Sequence, residues 1–114
     1  MDQTIDVKSF RFAVRIVKLC RYLMETQREY VLSKQIMRAG TSIGANVAEA
    51  QQAQSRADFI SKLSIALKEA VETNYWLRLL RETDYLQESE FHSLLQDCRE
   101  LERMLTAILK STKQ

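Results

Sequence analysis

A chain of 114 residues with 46% hydrophobic side chains can build one real core, yet it is small enough that association with further copies commonly adds stability. With no proline and only two glycines it lacks the punctuation of turns and strands, which disfavours β architectures and predicts an all-helical chain. A formal net charge of +2 demands no polyanionic partner, and two cysteines with one histidine argue against a Cys/His zinc site.

The first predicted helix covers residues 7–26. Phe10, Ala13, Val17, Cys20 and Met24 recur at three and four, and Phe12, Ile16, Leu19 and Leu23 form a second apolar line beside them. Two adjacent lines make a face broader than one partner helix needs, so part of it is expected to meet another subunit. The second helix is predicted over about 32–53, with Leu32, Ile36, Ala39, Ile43, Val47 and Ala50 facing inward. It breaks near Gln54, where Ser55-Arg56-Ala57-Asp58 approximates a capping box. The third, about 56–81, carries the cleanest heptad: Phe59, Leu63, Ala66, Ala70, Thr73, Leu77 and Leu80. Residues 81–87 are polar enough to turn, although nothing in them forces it. The fourth, about 88–111, repeats the pattern with Phe91, Leu94, Cys98, Leu101, Leu105 and Ile108. Four amphipathic helices with short connections predict an antiparallel up-down-up-down four-helix bundle, a single domain over 1–114. Both cysteines fall in apolar stripes and are expected as core thiols.

Gly40, Gly44 and Ala48 recur every four positions inside the second helix. Mid-helix glycine costs about 1 kcal/mol against alanine, so this spacing points to a second helix approaching closely. Ser42, Asn46 and Glu49 are threaded among the apolar residues there. Folding the second and third helices back on each other about Gln54 brings Arg38 near Glu69 or Ala70, Ser42 near Ala66, and Asn46 and Glu49 near Lys62. A structural polar network of Arg38, Ser42, Asn46, Glu49, Lys62 and Glu69 follows, with fixing of helix register as its role. The competing reading, a catalytic set of Glu49, Glu69 and Glu72, requires carboxyls held together in a cleft, and nothing in the sequence signals one. His92 has Ser89 three positions before it, so the Glu-x-x-His of di-iron bundles is missing. The expectation is a protein that is not an enzyme and has no metal or cofactor.

The charge is unevenly placed: residues 1–57 sum to +4 and residues 58–114 to −2. Lys8, Arg11, Arg15 and Lys18 share one face of the first helix with Arg21 close by, and no acidic residue lies between positions 7 and 24. A one-sign stripe suits a phosphate backbone, which makes these five the candidate nucleic-acid-binding residues. Two alternatives stay open: the stripe meets the acidic residues Glu88, Glu90, Asp97, Glu100 and Glu102 of the last helix, or it is a plain solvated face. Tyr75 and Trp76 are expected at a bundle or subunit contact. No apolar run reaches the ~18–20 residues of a membrane span and no signal peptide is evident, so a cytoplasmic location without membrane contact is expected.

The run Arg38-Ala39-Gly40-Thr41-Ser42-Ile43-Gly44-Ala45-Asn46-Val47-Ala48-Glu49-Ala50 has a specific continuation. It is followed by Asp58-Phe59-Ile60, Leu63-Ser64-Ile65-Ala66, Lys68-Glu69-Ala70 and Glu72-Thr73-Asn74-Tyr75-Trp76-Leu77. In this order and spacing the chain resembles the bacterial four helix bundle family of 23S rRNA intervening-sequence proteins, and more distantly the accessory variability proteins of diversity-generating retroelements. The resemblance implies an up-down bundle that assembles as a homopentamer. In the distant branch it implies binding of nucleic acid and a reverse transcriptase through a basic surface. It carries over no catalytic residue. Together with the basic stripe it gives the expectation of a non-enzymatic oligomer whose partners are itself and structured RNA or a ribonucleoprotein. The alternative is a protein-binding scaffold serving a nucleic-acid enzyme without touching nucleic acid.

Overall fold

A computed structural model describes residues 4–113 and contains four helices: α1 Ile5–Glu25, α2 Leu32–Ala50, α3 Arg56–Glu82 and α4 Glu88–Lys113. Each packs against the next in chain order, and α4 returns to α1 along the loosest of the four seams, closing an all-α up-down-up-down bundle of 44 × 25 × 21 Å. The core has one centre. Phe12, Ile16 and Leu23 of α1 meet Ile36 and Ile43 of α2, Leu63, Leu77 and Leu80 of α3, and Leu94, Leu101 and Leu105 of α4. Of the two apolar lines on α1, the one through Phe12 and Ile16 is the core line; from the other only Cys20 is buried, while Phe10 is 70% exposed.

The glycines do what their spacing implies. A Cβ on Gly40 would lie 2.8 Å from both Cγ atoms of Ile16, and one on Gly44 would lie 3.2 Å from the carbonyl oxygen of Ser9. These two positions therefore let α1 and α2 approach backbone to side chain and backbone to backbone. Ala48, one turn further, is exposed and takes no part in that contact. Ser9, Ser33 and Thr73 are buried hydroxyls, each donating to a backbone carbonyl three or four residues earlier.

The turns are made without glycine. At the end of α3, Asp84 takes a left-handed conformation (φ 71°) while the amide of Tyr85 reaches the Leu80 carbonyl, and Arg81 donates to the carbonyl of Leu86, which is buried. Arg28 (φ 57°) plays the same part after α1, where the Glu29 amide bonds the Leu23 carbonyl. The α3 start follows its sequence signal: the Ser55 hydroxyl accepts from the Asp58 amide at 3.0 Å. The Asp58 carboxylate accepts from the Gln54 amide, one residue beyond the Ser55 amide that a full capping box would use.

Candidate nucleic-acid interface

The basic stripe on α1 splits into two lines. Lys8 and Arg15, seven residues apart, turn into the α1–α4 seam, where Lys8 bonds Glu100 at 2.8 Å and Arg15 bonds Asp97 at 2.7 Å with Glu90 at 3.8 Å. Arg11, Lys18 and Arg21 are exposed and make no ion pair among the described residues. The charge match with the last helix is thus realised within one chain for two of the five residues, and three remain open to a partner.

Where this seam widens, a pocket of ≈ 520 Å³ has Leu19 and Leu86 beneath it, Tyr22 and Tyr85 beside it, and Arg15, Lys18, Gln87 and Glu90 at its polar edge. The outward apolar residues are elsewhere: Phe10 and Val14 on α1, Tyr30 and Val31 in the following link, Ile65, Val71 and Tyr75 on α3.

The polar thread between α2 and α3 forms in part. Arg38 contacts Glu69 at 3.4 Å and Glu72 at 2.5 Å, and Lys62 bridges Glu49 at 3.8 Å and Asp58 at 3.7 Å. Ser42 and Asn46 do not cross between helices. The Ser42 hydroxyl donates to the Arg38 carbonyl, and the Asn46 amide donates to the Ser42 carbonyl, both four residues back. Trp76 donates its indole N–H to Glu72 at 3.0 Å; that bond and the Arg38 guanidinium hold the Glu72 carboxyl below its usual range against the opposing effect of burial. Glu69 and Glu72 therefore share Arg38, while Glu49 belongs to a separate cluster with Lys62. Tyr75 stacks edge-on to Trp76 at 5.1 Å and is half exposed.

No cluster of three or more His, Cys, Asp or Glu able to hold a metal occurs among the described residues. Both thiols are buried and donate to carbonyls, Cys20 to Ser33 and Cys98 to Ala70. Burial, with the Glu29 carboxylate adding to it, pushes the Cys20 pKa up to about 11, and burial raises Cys98 as well. Among the described residues no helix is long and apolar enough to cross a membrane.

Glu29 is a residue the sequence pattern does not flag. It is 9% exposed, and its carboxylate accepts from the amides of Val31, Leu32 and Ser33 at 3.1, 2.8 and 2.7 Å, capping α2. The available signal was Glu29 standing three and four residues before Leu32 and Ser33, with no Ser, Thr, Asp or Asn at residues 27–31 to serve as cap.

These features define a small all-α bundle with a glycine-tightened α1–α2 pair, a charged α1–α4 seam and exposed apolar residues on α1 and α3. The chain belongs to the 23S rRNA-intervening sequence protein family, whose model matches residues 1–107. It is similar to the crystal structure of a protein of unknown function from the S23 ribosomal protein family of Bacteroides thetaiotaomicron. The two are 55% identical with a TM-score of 0.93, over 94% of this chain and 99% of that one. No curated protein matches the chain.

Proposed function

We propose that the protein is a non-enzymatic subunit of a homo-oligomer, the homopentamer implied by the resemblance, that associates with RNA or a ribonucleoprotein. The observation that carries this reading is the exposure of large apolar side chains on two helices diagonal in the bundle, Phe10 and Val14 on α1 and Val71 and Tyr75 on α3. Two different apolar faces on one protomer are what a head-to-tail, ring-closing contact uses. The non-enzymatic part of the reading is supported by the engagement of Glu69 and Glu72 by Arg38 and of Glu49 by Lys62. The RNA part of the reading is supported by the open cations of α1.

Size-exclusion chromatography with light scattering, on protein purified without nuclease, tests it. Five times the subunit mass with co-eluting nucleic acid that high salt removes is the expected result. Phe10→Asp, at an exposed position, should leave the helical spectrum intact and lower that mass. A monomer for the wild type overturns the assembly.

A second reading, a protein-binding scaffold, is favoured by the pairing of Lys8 and Arg15 inside the chain, which lowers the open charge of α1. It predicts a ring free of nucleic acid.

A further inference from the structure

The second half of the chain is net acidic, which hides a basic surface on α4. Each of the five carboxylates of that helix has a partner on a flank or on a neighbouring helix. Glu88 lies 3.6 Å from His92, Glu90 and Asp97 face Arg15, Glu100 holds Lys8, and Glu102 accepts from Asn74 at 2.9 Å. Outward on this helix stand Gln96, Arg99, Arg103 and Lys110, at intervals of three, four and seven residues and therefore on one face, with Glu88 and His92 at its N-terminal end. All four are exposed, and Arg99, Arg103 and Lys110 make no ion pair among the described residues. At 1.5 Å of rise per residue the three cations span roughly 16 Å. Arg99 and Arg103 also line a shallow depression of ≈ 400 Å³ with His92 and Gln96.

A second observation separates this face from that of α1. The large exposed apolar residues of the described chain lie on α1, on the α1–α2 link and on α3, and none lies on α4. The open cations of α1 thus share their helix with Phe10 and Val14, residues suited to packing against protein. The α4 face offers a partner little beyond hydrogen bonds and positive charge. Solvated helix faces ordinarily mix signs at i,i+4 spacing, and here four of the five acids are engaged by neighbouring helices, which leaves Glu88, beside His92 at the N-terminal end, as the one acid on this face.

We propose that α4, through Arg99, Arg103 and Lys110, is the surface that contacts the phosphate backbone of RNA, while α1 serves assembly. This rests on the RNA-associating reading above and relocates its contact. Guanidinium groups engage phosphate oxygens in pairs, and each neutralised phosphate releases counterions. No Phe, Tyr or Trp side chain is exposed along the stripe itself, and His92 is the one ring beside it, so the stripe contacts chiefly backbone and shape.

The test uses the intact assembly and a fluorescein-labelled RNA hairpin, with anisotropy read across a salt series. Two variants are compared with wild type: Arg99→Gln/Arg103→Gln/Lys110→Gln and Arg11→Gln/Lys18→Gln/Arg21→Gln. Each phosphate contact contributes roughly 0.7–0.9 to the logarithmic salt slope, so the α4 variant should lose about 2–3 units of slope. Between about 50 and 200 mM salt its affinity should then fall roughly 20–40-fold less than that of wild type. The α1 variant should stay close to wild type. Loss confined to the α1 variant, or equal loss in both, overturns the assignment to α4 and leaves the RNA reading standing. Displacement of the hairpin by poly-glutamate as effectively as by unlabelled hairpin overturns it in favour of an acidic protein. A wild type that binds no hairpin at low salt overturns the RNA reading, and this inference with it.

Discussion

Replacing Glu29 by glutamine keeps the shape of the side chain and removes its charge, which isolates what starts α2. The carboxylate accepts three backbone amides at 2.7 to 3.1 Å, donors that a helix N-terminus leaves without intrahelical partners. Glutamine keeps one carbonyl oxygen and turns an NH₂ toward at least one of those amides, so a donor faces a donor. Losing a side-chain cap costs about 0.5–2 kcal/mol. Losing a negative charge at a partly buried helix N-terminus costs up to about 2 kcal/mol. The two overlap, and the expected destabilisation is about 1–3 kcal/mol at neutral pH. The pH dependence follows from the carboxyl itself. Burial alone would push its pKa up, but the Leu32, Ser33 and Val31 amides together outweigh burial and hold it below the usual 4.5. A carboxyl with a folded pKa below its unfolded value stabilises fully above the unfolded pKa, and this is lost as pH falls through the folded one. Urea unfolding of both proteins, followed by circular dichroism from neutral pH downward, should show a gap that is full at pH 7 and closes below the usual carboxyl range. A gap under about 0.5 kcal/mol at neutral pH, or one that stays constant into strong acid, refutes the capping argument.

Gly40→Ala should lower the thermal midpoint although alanine is the better helix former by about 1 kcal/mol, because overpacking against the buried Ile16 costs about 1–3 kcal/mol. A raised midpoint would show that α1 yields there. Gly44→Leu should be worse, since the atom it meets is the Ser9 carbonyl oxygen, which cannot rotate away; a melt matching wild type removes the close-approach account. Asp97→Asn with Glu100→Gln releases Lys8 and leaves Arg15 only Glu90 at 3.8 Å, for about 1 kcal/mol per part-exposed pair, and should raise affinity for a heparin column; unchanged elution shows those cations stay inaccessible. Neither cysteine should react with a thiol reagent near pH 8 until the protein unfolds, given burial and the raised pKa of Cys20; rapid labelling of native protein contradicts the packing.

The bundle was legible because burial follows period. Phe12, Ile16, Leu63, Ala66 and Leu101 sit where three-four spacing puts them, and Ser55 caps α3 as its local pattern implies. Leu86 and Leu95 were missed because the first lies in a turn and the second beside the main stripe, and both are buried by tertiary packing. Ser42 and Asn46 were expected to cross between helices; short polar side chains on a helix have a nearer acceptor in their own carbonyls four residues back, and both took it.

Charge was harder to read for a different physical reason. Spacing shows that Lys8, Arg11, Arg15 and Lys18 lie close together, but it does not show on which side the next helix runs. Three residues turn a helix by about 60° short of a full circle. That rotation separates Lys8 and Arg15, inside the α1–α4 seam, from Arg11 and Lys18, outside it. On α4, Asp97 and Glu100 reach the seam, while Arg99 and Arg103, about 100° and 60° round the helix from Glu100, are left outward. A helix that sums to acidic thus presents an open basic face, and one that reads as uniformly basic loses part of its charge to its neighbour. The charge available to a partner is what remains after the seams have taken their pairs.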